Sequence, residues 1–182
     1  EPGGFRFTLL DAGQGLAAVV RTRDHALVYD TGARLGMTLD AGRAVLVPFL
    51  LRQGIARVDA LLVSHADKQH DGGVRSLREA MPVERILTAA PDRTPIDGAE
   101  PCRAGQAWEW DGVIFRLLHP PDSGFAGDNA SCVLQVIGAA GRALLPGDIE
   151  TAAETALATV YGTDLAADVL VAPHHEIGRA HV

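Results

Sequence analysis

Apolar residues occur along the chain mostly in short runs, separated by turns rich in glycine, proline and aspartate. Short β-branched or aromatic runs bounded by such residues are typical of β-strands. The first three runs follow one another closely, which predicts an antiparallel meander, and Asp111-Gly112 between two runs predicts a two-residue hairpin turn. The predicted strands are 5–10, 16–20, 26–29, 58–63, 83–88, 107–110, 113–118, 131–137, 142–145 and 168–171.

Three segments predict helices. The first begins near Pro48, which suits a first helical turn, and stops at Gly54. The others are 73–80 and 151–160, and surface loops are expected over 89–101 and 120–129. Helices are few and follow strands, so we expect an α/β fold in which two mixed sheets pack together with helices outside, a four-layer arrangement.

Composition fits one domain with a real core, since 47% of the 182 residues are hydrophobic. No apolar run approaches the roughly 18–20 residues of a membrane helix. The net charge of −7 argues against a broad nucleic-acid-binding surface, although bound metal ions can supply positive charge locally.

Both ends of the chain suggest a piece of a longer protein. The opening Glu1-Pro2-Gly3-Gly4 has neither an initiator Met nor a leader pattern. Residues 176–182 show no periodicity and match a possible translation of a sequencing adapter. We therefore expect a domain over 1–175, incomplete at its C-terminus, followed by a non-native tail over 176–182.

The two cysteines, Cys102 and Cys132, have a spacing that matches no zinc-binding pattern. We expect two independent buried thiols. The alternative is a disulfide formed in an oxidising compartment.

The stretch after the fourth predicted strand contains several closely spaced residues that can bind a metal ion. It reads Ser64-His65-Ala66-Asp67-Lys68-Gln69-His70-Asp71-Gly72-Gly73. Two imidazoles and a carboxylate within six residues can converge on one metal ion. His65, Asp67 and His70 are therefore candidate metal ligands.

Two further strand ends carry possible ligands, namely Asp148 and the pair His174 and His175. The alternative is that these are ordinary turn or surface residues. For several other polar or aromatic residues we expect structural roles. Asp11, Gln14 and Asp30 should stabilise turns, His119 should be a structural histidine, and Trp108 and Trp110 should be packing residues.

These residues resemble a known family. The loop resembles the His-x-His-x-Asp-His motif of the metallo-β-lactamase superfamily, and Asp67 in place of the second His resembles the metallo-β-lactamase-like domain of the ComEC family of DNA-uptake proteins. The segments that carry the resemblance elsewhere are 10–15, 29–32, 129–134, 144–150 and 171–175.

The resemblance implies an αββα sandwich with one or two divalent ions, Mn²⁺ or Zn²⁺, and no small-molecule cofactor. It implies that His65, Asp67 and His70 hold the first ion and that Asp148 is a ligand that bridges the two ions. His70 and Asp148 are the implied catalytic residues. The implied activity is a deoxyribonuclease that degrades the strand that is not imported.

The resemblance also implies partners and a location. The partners are DNA and the membrane channel of the same longer chain, at the bacterial inner membrane. The cysteine pair favours the periplasmic face for this domain.

Two positions depart from the family pattern. Gln69 stands where the family has Asp, and a neutral amide binds hard ions more weakly and cannot act as a base. Asp128 stands where Asn is usual. Gln69 leaves open a non-catalytic domain that guides DNA or partners, and a third alternative is another hydrolase of the superfamily.

Overall fold

A computed structural model describes residues 3–13, 15–36, 39–92 and 97–173 of the chain. This part of the chain forms eleven β-strands and three α-helices. The strands are β1 Arg6–Leu9, β2 Ala18–Arg21, β3 Ala26–Tyr29, β4 Ala60–Val63, β5 Ile86–Thr88, β6 Glu100–Pro101, β7 Ala107–Trp110, β8 Val113–His119, β9 Val133–Gly138, β10 Gly141–Leu145 and β11 Val169–Leu170. The helices are α1 Val47–Arg52, α2 Val74–Ala80 and α3 Thr151–Tyr161.

The first sheet has the strand order β1-β2-β3-β4-β5-β6. Its first three strands pair antiparallel, which confirms the predicted meander. From β3 to β6 the pairing is parallel. The carboxyl ends of β3 and β4 therefore lie side by side at one edge of the sheet.

The second sheet has the order β11-β10-β9-β8-β7 and is antiparallel except for the β10–β11 pair. The predicted hairpin between β7 and β8 is confirmed. Asp111 and Gly112 have φ angles of 55° and 80°, and two successive residues with positive φ form the turn that matches the twist of a hairpin.

Four layers result, and the predicted fold class is confirmed. Between the two sheets lies a core to which β3 contributes Tyr29 and β8 contributes Phe115. The outer face of the first sheet packs against α1 and α2, and α3 covers the second sheet. Trp108 and Trp110 lie against Phe115, as expected of packing residues.

The expectation of two independent thiols is wrong. Cys102 and Cys132 form a disulfide, with their Cα atoms 6.1 Å apart. Cys102 directly follows β6 in the first sheet and Cys132 directly precedes β9 in the second, and both side chains are fully buried in the inter-sheet core. Packing of the two sheets brings together two residues that lie 30 positions apart.

Several boundaries differ from the prediction. The loop expected over 89–101 ends in the two-residue strand β6, which pairs with β5. A π-helical turn, Gly42–Leu46, precedes α1. Among the described residues, no helix combines the length and apolar character needed to cross a bilayer. The expected tail over 176–182 lies outside the described residues, as do His174 and His175.

Candidate metal centre

Four strand ends from the two sheets meet at one edge of the sandwich. They are the carboxyl ends of β3, β4 and β10 and the amino end of β9. Two hydrogen bonds join the sheets there. The backbone N–H of Cys132 donates to the carbonyl of Ser64 at 2.8 Å, and the Tyr29 hydroxyl donates to the carbonyl of Cys132 at 2.6 Å.

A cluster of three side chains lies at this edge, formed by His65, His70 and Asp148. One potential ligand atom from each lies within 4.8 Å of the other two. All three residues are buried. The structure thus brings together the candidates from two separate strand ends, which are 78 residues apart for His70 and Asp148.

His70 is held between two carboxylates. Its Nδ1 lies 2.8 Å from Oδ2 of Asp30, and its Nε2 lies 3.1 Å from Oδ2 of Asp148. Burial by itself would lower the pKa of His70, but the Asp30 charge and the bonds to both carboxylates outweigh it and raise the pKa to about 10. The two carboxylates thus favour the protonated imidazole of His70.

Asp30 is the residue whose role the sequence interpretation missed. It follows β3, is fully buried, and accepts hydrogen bonds from the backbone N–H and the hydroxyl of Ser64 at 2.6 and 2.8 Å. Its φ of 57° turns the chain so that the carboxylate reaches His70. The sequence alone carries no signal for this role, because it depends on the parallel pairing of β3 and β4, whose carboxyl ends meet at one edge of the sheet.

His65 faces two hydroxyls with one nitrogen and the carboxylate of Asp128 with the other. Its Nδ1 lies 3.1 Å from Oγ of Ser64 and 3.3 Å from Oγ of Ser131. Its Nε2 faces Asp128, whose Oδ1 is 3.7 Å away. Burial first, and then the charge of His70, lower the pKa of His65, which favours the neutral imidazole that binds metals.

The glycines after His70 allow the loop to pack closely against its neighbours. A side chain at Gly72 would collide with the backbone of Ala33 and Arg34, and one at Gly73 with that of Gly42. Helix α2 begins immediately afterwards, at Val74. The close packing positions the loop that carries both histidines.

The other predicted ligands are not part of this cluster as far as the described residues extend. Asp67 is exposed, and its Oδ1 accepts a hydrogen bond from the backbone N–H of Gln69 at 2.8 Å. Its role as a ligand stays a prediction. His119 is buried, with Nε2 2.7 Å from the carbonyl of Asn129, in agreement with a structural role.

The donor set fits a divalent metal ion. Two imidazole nitrogens and one carboxylate oxygen are the ligands of many catalytic zinc sites, in which three protein groups leave a position open for water. The contact between Asp30 and His70 also matches the way in which carboxylates orient metal-binding histidines.

Solved structures with this fold support the architecture. The metallo-β-lactamase SMB-1 bound to 2-mercaptoethanesulfonate superposes with a TM-score of 0.63 at 11% identity, covering 94% of this chain and 77% of that chain. MEM-A1, a subclass B3 metallo-β-lactamase from a soil metagenome library, superposes with a TM-score of 0.62 at 14% identity, covering 91% of this chain and 75% of that chain. Identities this low show the fold alone.

Curated relatives are more similar in sequence. Competence protein ComA of Neisseria gonorrhoeae is 40% identical over 169 residues, which are 92% of this chain and 23% of that protein. Recombination protein 2 of Haemophilus influenzae is 34% identical over 167 residues, which are 91% of this chain and 21% of that protein. The chain spans about a fifth to a quarter of the length of these relatives.

The similarity to these two relatives, one of them named a competence protein, extends over nearly the whole chain, which confirms the resemblance inferred from the motifs. The family model described as Metallo-beta-lactamase superfamily matches residues 10–177. This match agrees with the four-layer fold and with the donor cluster at the sheet edge. The chain belongs to the metallo-β-lactamase superfamily.

Proposed function

We propose that this chain is the metal-dependent hydrolase domain of a DNA-uptake protein and that it degrades the DNA strand that is not imported. The observation that carries the proposal is the buried His65, His70 and Asp148 cluster in a chain similar to competence proteins. The longer protein would supply a membrane channel at the bacterial inner membrane. The disulfide supports a periplasmic position for this domain.

In this proposal the three cluster residues hold one or two divalent ions, Mn²⁺ or Zn²⁺. A bound ion of this kind lowers the pKa of a water molecule and offsets negative charge on a phosphodiester. Asp30 keeps Nε2 of His70 directed at the site by binding Nδ1. Asp148 is the bridging ligand in this proposal. Asp67 and the two histidines outside the described residues, His174 and His175, complete the proposed ligand set.

Two exposed cations lie beside the loop and support a phosphate-containing substrate. The backbone N–H of Arg34 donates to the carbonyl of Lys68 at 3.3 Å, so the two residues are neighbours. Lys68 lies between Asp67 and Gln69, within the histidine loop. In a chain of net charge −7, cations at this place can bind the DNA backbone next to the metal site.

A second candidate function is a non-catalytic domain that keeps the fold and guides DNA or partners. Gln69 favours it, because this exposed residue provides no carboxylate for a second ion or for activating water. The position of Asp67 outside the donor cluster favours it as well.

The test is cleavage of end-labelled single-stranded and duplex DNA, with and without Mn²⁺, by the native chain and by Gln69→Asp. Gln69→Asn is the matched control, since it changes the side chain without adding charge. We expect Mn²⁺-dependent cleavage by the native chain that His70→Ala abolishes. Cleavage only by Gln69→Asp would favour the non-catalytic alternative, and no cleavage by any variant would contradict the nuclease proposal.

A further inference from the structure

Asp128 places a fourth potential ligand beside the donor cluster. It lies in a short 3₁₀ helix, Gly127–Ala130, that connects β8 to β9. Its Oδ1 is 3.7 Å from Nε2 of His65. The side chain of Asp128 is 46% exposed whereas that of His65 is 7% exposed, so the carboxylate stands where the buried cluster opens to solvent.

The segment that carries Asp128 is fixed by several hydrogen bonds. The backbone N–H and the hydroxyl of Ser131 both donate to the carbonyl of Asp128, at 2.9 and 2.7 Å. Oδ1 of Asn129 accepts bonds from the backbone N–H of Glu150 and of Ala153 at the start of α3, at 3.0 and 3.3 Å. These bonds tie the segment to the chain that follows Asp148.

Ser131 also links Asp128 to the cluster itself. Its hydroxyl oxygen lies 3.3 Å from Nδ1 of His65 and accepts a bond from the backbone N–H of Asp148 at 3.3 Å. One side chain therefore contacts two members of the cluster and the backbone of Asp128. The position of the Asp128 carboxylate relative to His65 is a property of the folded loop.

The separation fits two ligands of one ion. Ligands bound at ~2.1 Å to a four-coordinate metal lie roughly 3.4 Å apart, and Oδ1 of Asp128 lies 3.7 Å from Nε2 of His65. Asp128 is not one of the three residues whose ligand atoms all lie within 4.8 Å of one another, so it would bind an ion at the edge of the cluster, next to His65. Within the cluster, His70 and Asp148 are 3.1 Å apart. We propose that Asp128 is a further ligand of this metal site, bound on the side of His65.

This inference rests on the metal site of the proposed function, and its test measures metal binding without DNA. Mn²⁺ is titrated calorimetrically into the native chain, Asp128→Asn, Asp128→Glu and the matched control Asp122→Asn. Asp122 lies in the same connection and is 98% exposed. We expect Asp128→Asn to weaken Mn²⁺ binding by about 10–100-fold and Asp128→Glu to weaken it less. The control Asp122→Asn should bind Mn²⁺ with the affinity of the native chain.

Thermal unfolding of the metal-free proteins checks that each variant folds. Unchanged Mn²⁺ affinity in Asp128→Asn would overturn the inference. Equal losses of Mn²⁺ affinity in Asp128→Asn and Asp122→Asn would overturn it too, because they would indicate a general effect of charge. Equal losses of Mn²⁺ affinity in Asp128→Asn and Asp128→Glu would also overturn it. Native metal binding without DNA cleavage would instead contradict the nuclease proposal alone.

Discussion

Asp30 controls the orientation of His70 through a contact that is shielded from water. Both residues are fully buried, and Oδ2 of Asp30 accepts from Nδ1 of His70 and from the hydroxyl of Ser64. An amide NH₂ group at the position of Oδ2 would face these donors without accepting from them. The carboxylate therefore fixes the ring that directs Nε2 toward Asp148.

Replacing Asp30 with Asn tests this role. The φ of 57° suits Asn, so the backbone turn is retained. We expect Asp30→Asn to weaken divalent metal binding by about 10–100-fold, the usual loss when a group that orients a metal-binding histidine is removed. Calorimetric Mn²⁺ titration measures this. Asp11→Asn, in an exposed turn after β1, is the control, and equal affinities for Asp30→Asn and the native chain would contradict the assignment.

At the scale of residues, the sequence predicted the candidates that chemistry singles out. His65, His70 and Asp148 come together because they follow strands that end at one edge. The contributions of Asp30 and Ser131 could not be predicted, because an aspartate after a strand or a serine before one has many turn-stabilising uses. Their partners became identifiable only from the register of the two sheets.

Among the elements, the β7–β8 hairpin is anchored to the β2–β3 connection by the Asp111 carboxylate. Oδ2 of Asp111 accepts from the Thr22 hydroxyl at 2.6 Å and from the backbone N–H of Asp24 at 2.9 Å, and lies 3.1 Å from Nδ1 of His25. The bond from Thr22, the bond from Asp24 and the contact with His25 together hold the pKa of Asp111 well below its usual range. The β7–β8 turn thus joins the two sheets by hydrogen bonds at the end opposite the metal site.

The lowered pKa of Asp111 predicts a pH dependence of stability. A carboxylate with a lower pKa in the folded chain stabilises it above the unfolded pKa of about 3.9, and this contribution is lost as the pH falls through the folded value. Asp111→Asn should therefore lower the denaturation temperature at pH 7, and the difference from the native chain should shrink below about pH 4. Thermal unfolding between pH 3 and 7 measures this, with Asp122→Asn as control. A difference that is independent of pH would contradict the charge-based explanation.

Elements with strong local signals were predicted well. The hairpin was predicted because Asp-Gly determines its turn, and α3 because an alanine-rich run has high helix propensity. Strand β6 was missed, because its two residues Glu100 and Pro101 have little strand propensity and join the sheet only through pairing with β5. The π-helical turn Gly42–Leu46 was missed for a similar reason, since nothing in its sequence separates it from the ordinary helix that follows.

At the scale of the whole molecule, the disulfide joins the two sheets within the core. Closing a loop of about 30 residues lowers the entropy of the unfolded chain. We expect the free energy of unfolding to fall by about 3–4 kcal/mol when the bond is reduced. Urea unfolding with and without reductant measures this change, and the double variant Cys102→Ser, Cys132→Ser is the control, which should not respond to reductant.

Thiol titration of the oxidised protein under denaturing, non-reducing conditions provides a second check. We expect no free thiol. Two titratable thiols would contradict the bond, and they would remove its support for a periplasmic position.

The central claim is that His65, His70 and Asp148 bind a divalent metal ion, and metal content tests it most directly. The native chain, His65→Ala, His70→Ala and the distant control His25→Ala would be loaded with Mn²⁺ or Zn²⁺, desalted and analysed by elemental mass spectrometry. Circular dichroism would confirm that each variant is folded. The native chain and His25→Ala should retain one or two ions per chain, and His65→Ala and His70→Ala should each lose bound metal. Native metal content in both site variants would contradict the assignment.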